Sequence, residues 1–282
     1  ASDLQSLEKL SAGHVNETFV GRGADIILRL PAQGNPLVSG HDVILQAKIM
    51  QEVSSLPEAP PVPEILHVDS GNELLGSPFV LMRRVHGDAY GDYEVPHWVV
   101  SESTAFRGKL MNDYVKQVAK CNGLPPLKCL GAPKSSEDEL LTWRTYAEKA
   151  GHRTMLDMTD ELLRTQAPVS GPPQLVHGDA KLANTMWTGD RMVALLDWEM
   201  SYNGEPLADL GYILFFFEGP FHPAFQNVAE RGFWPRSKIV DRWQDITGRS
   251  AESVWWYEAA ALIKLGCILV YGRHLTRTGQ SD

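Results

Sequence analysis

Cysteine is scarce in this 282-residue chain: Cys121, Cys129 and Cys267 form an odd set with no Cys-x-x-Cys spacing. That argues against a disulfide framework or a paired-thiolate zinc site and fits a reducing, cytoplasmic setting. No His-Glu-x-x-His is present, so the usual zinc-hydrolase pattern is missing. No Gly-x-x-x-x-Gly-Lys-Ser/Thr loop occurs, which removes a P-loop enzyme. Gly21-Arg22-Gly23 lacks the third glycine of a dinucleotide fingerprint. Positive charge is in deficit, with 26 Lys and Arg against 35 Asp and Glu and a net charge of −9. No nucleic-acid partner is expected from that balance, whereas a cationic substrate is compatible with it. A long uncharged apolar run is also missing. The longest candidate, Trp255 to Tyr271, carries Glu258 and Lys264, so it reads as a core helix, and no membrane association is expected. No signal-peptide pattern, repeat or low-complexity tract is seen.

What is present is ordinary globular composition, 43% hydrophobic and 22% charged, in a chain long enough for one large domain or two lobes. Leu7–Leu10, His14–Gly21 and Ala24–Leu30 read as three short strands with turns at Ser11-Ala12-Gly13 and Arg22-Gly23. Val43, Ala47, Met50 and Val53 make a helical stripe over His41–Val53, ended by the prolines of Pro57–Pro63. Pro61–Leu66 enters a strand, and Phe79–Met82 is another. Residues 88–103 hold few regular patterns and read as a surface loop on the acceptor side. Helices are expected over Thr104–Cys121, Asp138–Ala150, Asp157–Thr165, Leu207–Phe217, from Ser237 to Thr247-Gly248, and over Val254–Leu275, with Ser250 or Ser253 capping the last.

The chemistry concentrates in Val176-His177-Gly178-Asp179-Ala180-Lys181-Leu182-Ala183-Asn184 and Leu196-Asp197-Trp198-Glu199. The pattern is strand, loop, strand, turn, strand, with Asp179, Asn184 and Asp197 at strand ends. Two carboxylates and a carboxamide brought together suit Mg²⁺ held against phosphate oxygens and a base for an attacking hydroxyl.

The spacing Asp179-x-Lys181-x-x-Asn184, preceded by His177, resembles the catalytic loop of protein kinases and of the aminoglycoside phosphotransferase family. His-Gly-Asp in place of His-Arg-Asp, and Asp-Trp-Glu in place of Asp-Phe-Gly, point to the second group. The run Gly204-Glu205-Pro206-Leu207-Ala208-Asp209-Leu210-Gly211-Tyr212 is similar to that family as well. The branch it resembles includes kinase domains fused to acyl-CoA dehydrogenases.

That resemblance implies an α+β, protein-kinase-like two-lobed fold, with a small antiparallel-sheet N-lobe and a larger, mainly helical C-lobe. Residues 1–87 would be the nucleotide lobe and hinge, and 88–282 the catalytic and acceptor-binding lobe. The implied cofactors are ATP (or GTP) and Mg²⁺. Asp179 would be the base and Lys181 the residue that neutralises the moving phosphoryl group or simply pairs with Asp179. Asn184 and Asp197 would hold the metal, with Glu199 either reaching it through water or standing as a solvated acid. His177 and Asp209 would stabilise the loop. On the nucleotide side, Gly13 and Asn16 belong to the phosphate-covering loop, and Arg83, Arg84 and Val85 to the hinge, where main-chain atoms meet the base. Arg29 takes the place of the family's phosphate-binding Lys, and Gln46 that of its paired Glu, with Glu52 an alternative partner and Lys48 an alternative phosphate grip. Both members of that pair are altered, so a nucleotide-binding scaffold without transfer activity is the alternative reading. The partner implied is a small-molecule hydroxyl acceptor, either aminoglycoside-like or a hydroxylated metabolite or hydroxyacyl thioester. Glu218, Glu230, Asp241 and Asp245 are interleaved with Arg231, Arg236, Lys238 and Arg242, which does not resemble a dedicated polycation pocket.

Overall fold

Short alternating segments separated by turns build the first part of the chain. A computed structural model describes residues 6–10, 16–31, 42–91, 95–218 and 232–280. Strands β1 (Ser6–Lys9), β2 (Asn16–Arg22) and β3 (Ile26–Pro31) come first, and Gly23 supplies the positive φ of the β2–β3 turn. Helix α1 (Val43–Ser54) follows, then β4 (Ile65–Asp69) and β5 (Phe79–Arg83). The strands form one antiparallel sheet in the order β1-β2-β3-β5-β4. Arg29 lies opposite Thr18 on one side and Val80 on the other, in the middle of this sheet.

The apolar stripe of α1, including Val43, Ala47, Met50 and Val53, is buried against the sheet, and Gln46 shares that face. Asp42 caps the helix, its Oδ1 accepting from the Ile44 and Leu45 amides at 2.9 and 3.0 Å. Asp42→Ala is expected to cost about 1 kcal/mol in urea unfolding. An unchanged midpoint would show that the cap is not coupled to global stability.

The rest of the chain is mainly helical. In order come β6 (Asp88–Ala89), α2 (His97–Val100), α3 (Thr104–Gly123), α4 (Ser136–Lys149) and α5 (Arg153–Leu163). Then follow β7 (Gln174–Val176), β8 (Thr185–Thr188), β9 (Arg191–Leu195) and β10 (Tyr202–Gly204). Helices α6 (Leu207–Glu218), α7 (Arg236–Thr247) and α8 (Val254–Arg277) close the chain. β7 pairs with β10, and β8 lies between β6 and β9. Helix α6 is apolar on nearly every side and lies in the core, with Leu210, Ile213 and Leu214 fully buried. It packs on α7 and α8, closely enough that a Cβ on Gly211 would sit 2.6 Å from the Tyr257 Cβ. This is the small-sheet, large-helical α+β arrangement expected from the sequence.

Several local expectations need correction. Residues 88–103 are not simply a surface loop: Tyr90, Val95 and Val99 are buried, and β6 joins a sheet. A two-residue strand and a four-residue helix are too short to show a period. Helix α5 begins at Arg153, four residues before Asp157, because His152 Nδ1 accepts from the Met155 amide at 3.4 Å. Neither serine caps α8. Ser253 makes no capping bond, and Ser250 accepts from the Glu252 amide in the preceding turn. By length and composition α8 could cross a membrane. It packs instead along α4, α5 and α6, with Lys264 on its buried side.

Candidate active site

β7 delivers the chain into the loop 177–184, and a helix behind it sets the loop's shape. Asp209 on α6 is fully buried. Its Oδ2 accepts from the His177 amide at 2.8 Å and Asn122 Nδ2 at 2.7 Å, and its Oδ1 accepts from the Gly178 amide at 2.8 Å. Asn122 Oδ1 in turn accepts from Trp243 Nε1 at 2.9 Å. Gly178 has φ +82°, and a Cβ there would collide with the Met200 carbonyl oxygen. No side chain fits between His177 and Asp179 for that reason.

The His177 ring is fully buried, accepts from the Asp179 amide through Nδ1 at 3.2 Å, and bonds the Leu196 carbonyl through Nε2 at 2.9 Å. A carbonyl only accepts, so Nε2 carries the proton and the imidazole is neutral. Burial lowers its pKa. The ring therefore acts as a strut between the loop and the residue before Asp197, as the sequence implied.

Asp179 is 6% exposed. Tyr212 Oη donates to Oδ1 at 2.6 Å, Asn184 Nδ2 donates to Oδ2 at 2.7 Å, and Lys181 Nζ lies 3.8 Å from Oδ2. Burial raises its pKa, but Lys181, Tyr212, Lys264 and His177 outweigh that and hold the carboxyl below its ordinary value. It is ionised and fixed in direction. Asn184 Nδ2 also bonds the Asp179 carbonyl at 2.9 Å. Both partners are acceptors, so the amide orientation is determined, and Oδ1 is the oxygen left for a cation.

Asp197 follows β9 in a left-handed conformation, φ 64°, which turns its carboxylate back toward the sheet lobe. There Arg29 Nη2 approaches its Oδ1 at 3.3 Å, while Arg29 Nη1 donates to Gln46 Oε1 at 2.9 Å. The expected Arg29–Gln46 pair is thus formed, and the countercharge comes from Asp197. Glu52 is not the partner: it accepts from the Lys128 and Cys129 amides at 2.7 and 3.1 Å. Lys48 is exposed on α1. Glu199 is not a freely solvated acid. Burial and then the charge of Asp197 push its pKa up to about 8, against the pull of Arg29 and Lys181.

Gly13 lies outside the described residues. Asn16 opens β2 with both amide atoms buried, and among the described residues neither they nor the buried Arg29 Nε have a hydrogen-bond partner. Orphaned polar groups of this kind fit a bound polar ligand better than an empty cleft. At the hinge, the Arg83 amide bonds Glu64 O at 2.8 Å and the Arg84 amide bonds Asp25 O at 3.0 Å. The Arg84 amide is thereby engaged, whereas the Val85 amide is not in such a bond among the described residues. An open groove of ≈ 1020 Å³ runs past this end of the sheet, with Val20, Ile26 and Arg84 in its wall. Among the described residues no cluster of three or more His, Cys, Asp or Glu could hold a metal. Asn184 and Asp197 would offer oxygen donors only, a donor chemistry that suits Mg²⁺ completed by phosphate and water and does not suit zinc.

Tyr212 and Lys264 were not recognised as site residues from the sequence. Tyr212 was visible as one hydroxyl in an apolar run, and Lys264 as one cation in the apolar stretch that became α8.

A family model, APH, "Phosphotransferase enzyme family", matches residues 6–238. Acyl-CoA dehydrogenase family member 11 of Gallus gallus is 28% identical over 240 residues, which cover 80% of this chain and 30% of that protein. This chain thus corresponds to under a third of the length of that curated relative. Among solved structures, a candidate aminoglycoside phosphotransferase from Ralstonia eutropha JMP134 superposes with TM-score 0.79 at 22% identity, covering 100% of this chain and 86% of that one. A thermostable mutant of aminoglycoside phosphotransferase APH(4)-Ia, in a ternary complex with AMP-PNP and hygromycin B, superposes with TM-score 0.64 at 16% identity, covering 98% and 89%. These likenesses establish the two-lobed, protein-kinase-like fold.

Proposed function

The chain belongs to the phosphotransferase enzyme family APH, and on that premise we propose that it transfers the γ-phosphate of ATP or GTP, with Mg²⁺, to a hydroxyl of a small molecule. The observation that carries this reading is an ionised, oriented Asp179, with Lys181 3.8 Å from it, near an Asp197 that faces Arg29, all four charges acting on Glu199. Residues 1–87 form the nucleotide lobe and hinge in this reading, and 88–282 the catalytic and acceptor lobe.

Asp179 receives the proton of the acceptor hydroxyl through its carboxylate. The hydroxyl oxygen forms a bond to the γ-phosphorus as the bond from that phosphorus to the β–γ bridging oxygen breaks, giving a phosphate ester and a nucleoside diphosphate. Lys181 offsets negative charge on the moving group. Arg29 and Asn16 hold phosphate and sugar-phosphate oxygens from the sheet lobe, and the Arg84 carbonyl and Val85 amide meet the base. Asn184 and Asp197 would hold Mg²⁺, whose charge would offset that of the phosphates.

Arg29→Ala is expected to weaken Mg·ATP binding by roughly tenfold or more, since a charge-assisted phosphate contact is lost, without unfolding the protein. Unchanged affinity by calorimetry would move the phosphate grip to another residue.

A hydroxylated metabolite or hydroxyacyl thioester is favoured over an aminoglycoside as acceptor. The name of the curated relative points toward acyl-CoA chemistry. In the helices after the catalytic loop, Arg236 is paired with Glu258 on α8, so that acid is already neutralised. Glu230, Arg231 and the side chain of Glu218 lie outside the described residues. Assaying kanamycin beside a hydroxyacyl-CoA separates the readings, and turnover of the drug alone would overturn the metabolite acceptor.

A further inference from the structure

Behind the catalytic loop, between α4, α6 and α8, lies a cavity of ≈ 40 Å³. Its wall includes the Gly178 backbone, Tyr212, Trp143, Glu139 and Lys264. A space of this size takes a few waters or one carboxylate group. Lys264 is 7% exposed. Its ammonium donates to the Gly178 carbonyl and stands 4.6 Å from the centroid of Trp143 and 5.2 Å from that of Tyr212. Among the described residues no carboxylate forms an ion pair with it. Glu139, the acid in the same wall, is engaged by Trp143 Nε1 at 2.8 Å and by Lys134 at 3.4 Å. Burial lowers the Lys264 pKa, opposed by the more distant Glu139, Asp179 and Asp209. A buried ammonium without a paired anion is costly, and an arriving carboxylate would supply the missing countercharge.

Position gives that cation a use. Tyr212 presents one ring face to Lys264 and gives its hydroxyl to Asp179, so a single aromatic ring separates the ammonium from the base. Aromatic faces of this kind attract cationic ligands, but here Lys264 occupies them with its own charge. Resting on the phosphotransferase reading above, and on its free hydroxylated-metabolite acceptor rather than the thioester, we propose that Lys264 selects the acceptor. It takes the anionic end of a hydroxycarboxylate in this cavity while the hydroxyl reaches Asp179 beyond Tyr212, and it excludes cationic acceptors.

The test uses the full chain with Mg²⁺ and ATP and a panel of short ω-hydroxycarboxylates, their methyl esters, choline and kanamycin. Nucleoside diphosphate release and phosphate-ester formation are both followed. The wild type should prefer an acid over its own ester by roughly tenfold or more in kcat/KM, the effect of one charge-assisted contact. Lys264→Met should erase that preference through KM, and Lys264→Arg should retain part of it. Esters or choline used as well as the acids, or a preference that survives in Lys264→Met, would overturn the assignment. If Lys264→Met does not fold, the acid-to-ester ratio of the wild type decides alone. Mg·ATP binding without phosphorylation of any acid defeats this inference only, whereas no binding of Mg·ATP defeats the phosphotransferase reading beneath it.

Discussion

Asp179→Asn should lower turnover about 10²–10⁴-fold, the range for loss of a positioned general base, while Mg·ATP affinity stays near that of the wild type. The two effects separate because Asp179 is proposed to act on the acceptor hydroxyl and not on the nucleotide. Its Oδ1 is held by Tyr212 and its Oδ2 by Asn184. The nucleotide contacts proposed for Arg29 and Asp197 do not pass through it. An asparagine keeps the Tyr212 bond through its own oxygen, but its amide must face the Asn184 amide, donor against donor. Steady-state phosphorylation of an accepted substrate, with calorimetry of Mg·ATP on the same preparation, checks both parts. A variant retaining most of the wild-type rate would remove Asp179 from the role of base.

The second large effect is expected at Asp209. Truncation to Ala leaves the His177 and Gly178 amides and Asn122 Nδ2 facing an apolar void, since all three donate to that one carboxylate. Each buried donor left unsatisfied costs about 1–3 kcal/mol, so a loss of roughly 3 kcal/mol or more is expected against a total stability of about 5–15 kcal/mol. Asp209→Asn should lose less, because one acceptor oxygen remains. Urea unfolding of the three proteins measures this, and a loss below about 1 kcal/mol in the Ala variant would mean that waters replace the carboxylate. Catalysis should fail before folding does, because the loop that Asp209 ties down is the one that carries Asp179.

Much of this candidate site is legible in the sequence because its residues are local. His177, Asp179, Lys181 and Asn184 lie within eight positions, and a short loop between strands leaves them few relative placements. Asp197 could be added because the apolar run before it marks a strand end, and Asp209 because a lone acid in an apolar helix must have partners. The small sheet and the long helices were legible for a similar reason: alternation or a helical stripe extends far enough to be read. What stayed hidden depended on distant chain segments. Nothing near Asn122 marks it as the residue that links Trp243 to Asp209, 87 positions away. The single charge of Lys264 was visible, but its contact with Gly178, 86 residues earlier, was not. Glu52 was a reasonable partner for Arg29 by helical position, yet the turn at Lys128 claims it. Short elements such as β6 and β10 have no period to read, and they exist because β8 and β7 offer them an edge.

Calorimetric titration of ATP, with and without Mg²⁺, into the wild type and Asp197→Asn tests the central claim most directly. Asp197 is the carboxylate proposed to hold the metal, and Arg29 Nη2 is the group that faces it. The expected result is nucleotide binding that strengthens with Mg²⁺ in the wild type and loses that dependence in the variant. Folded wild-type protein that binds no ATP or GTP under either condition would contradict the phosphotransferase assignment. Nucleotide binding that ignores Mg²⁺ in both proteins would instead favour the scaffold without transfer activity, with the Arg29–Gln46 pair as its structural mark.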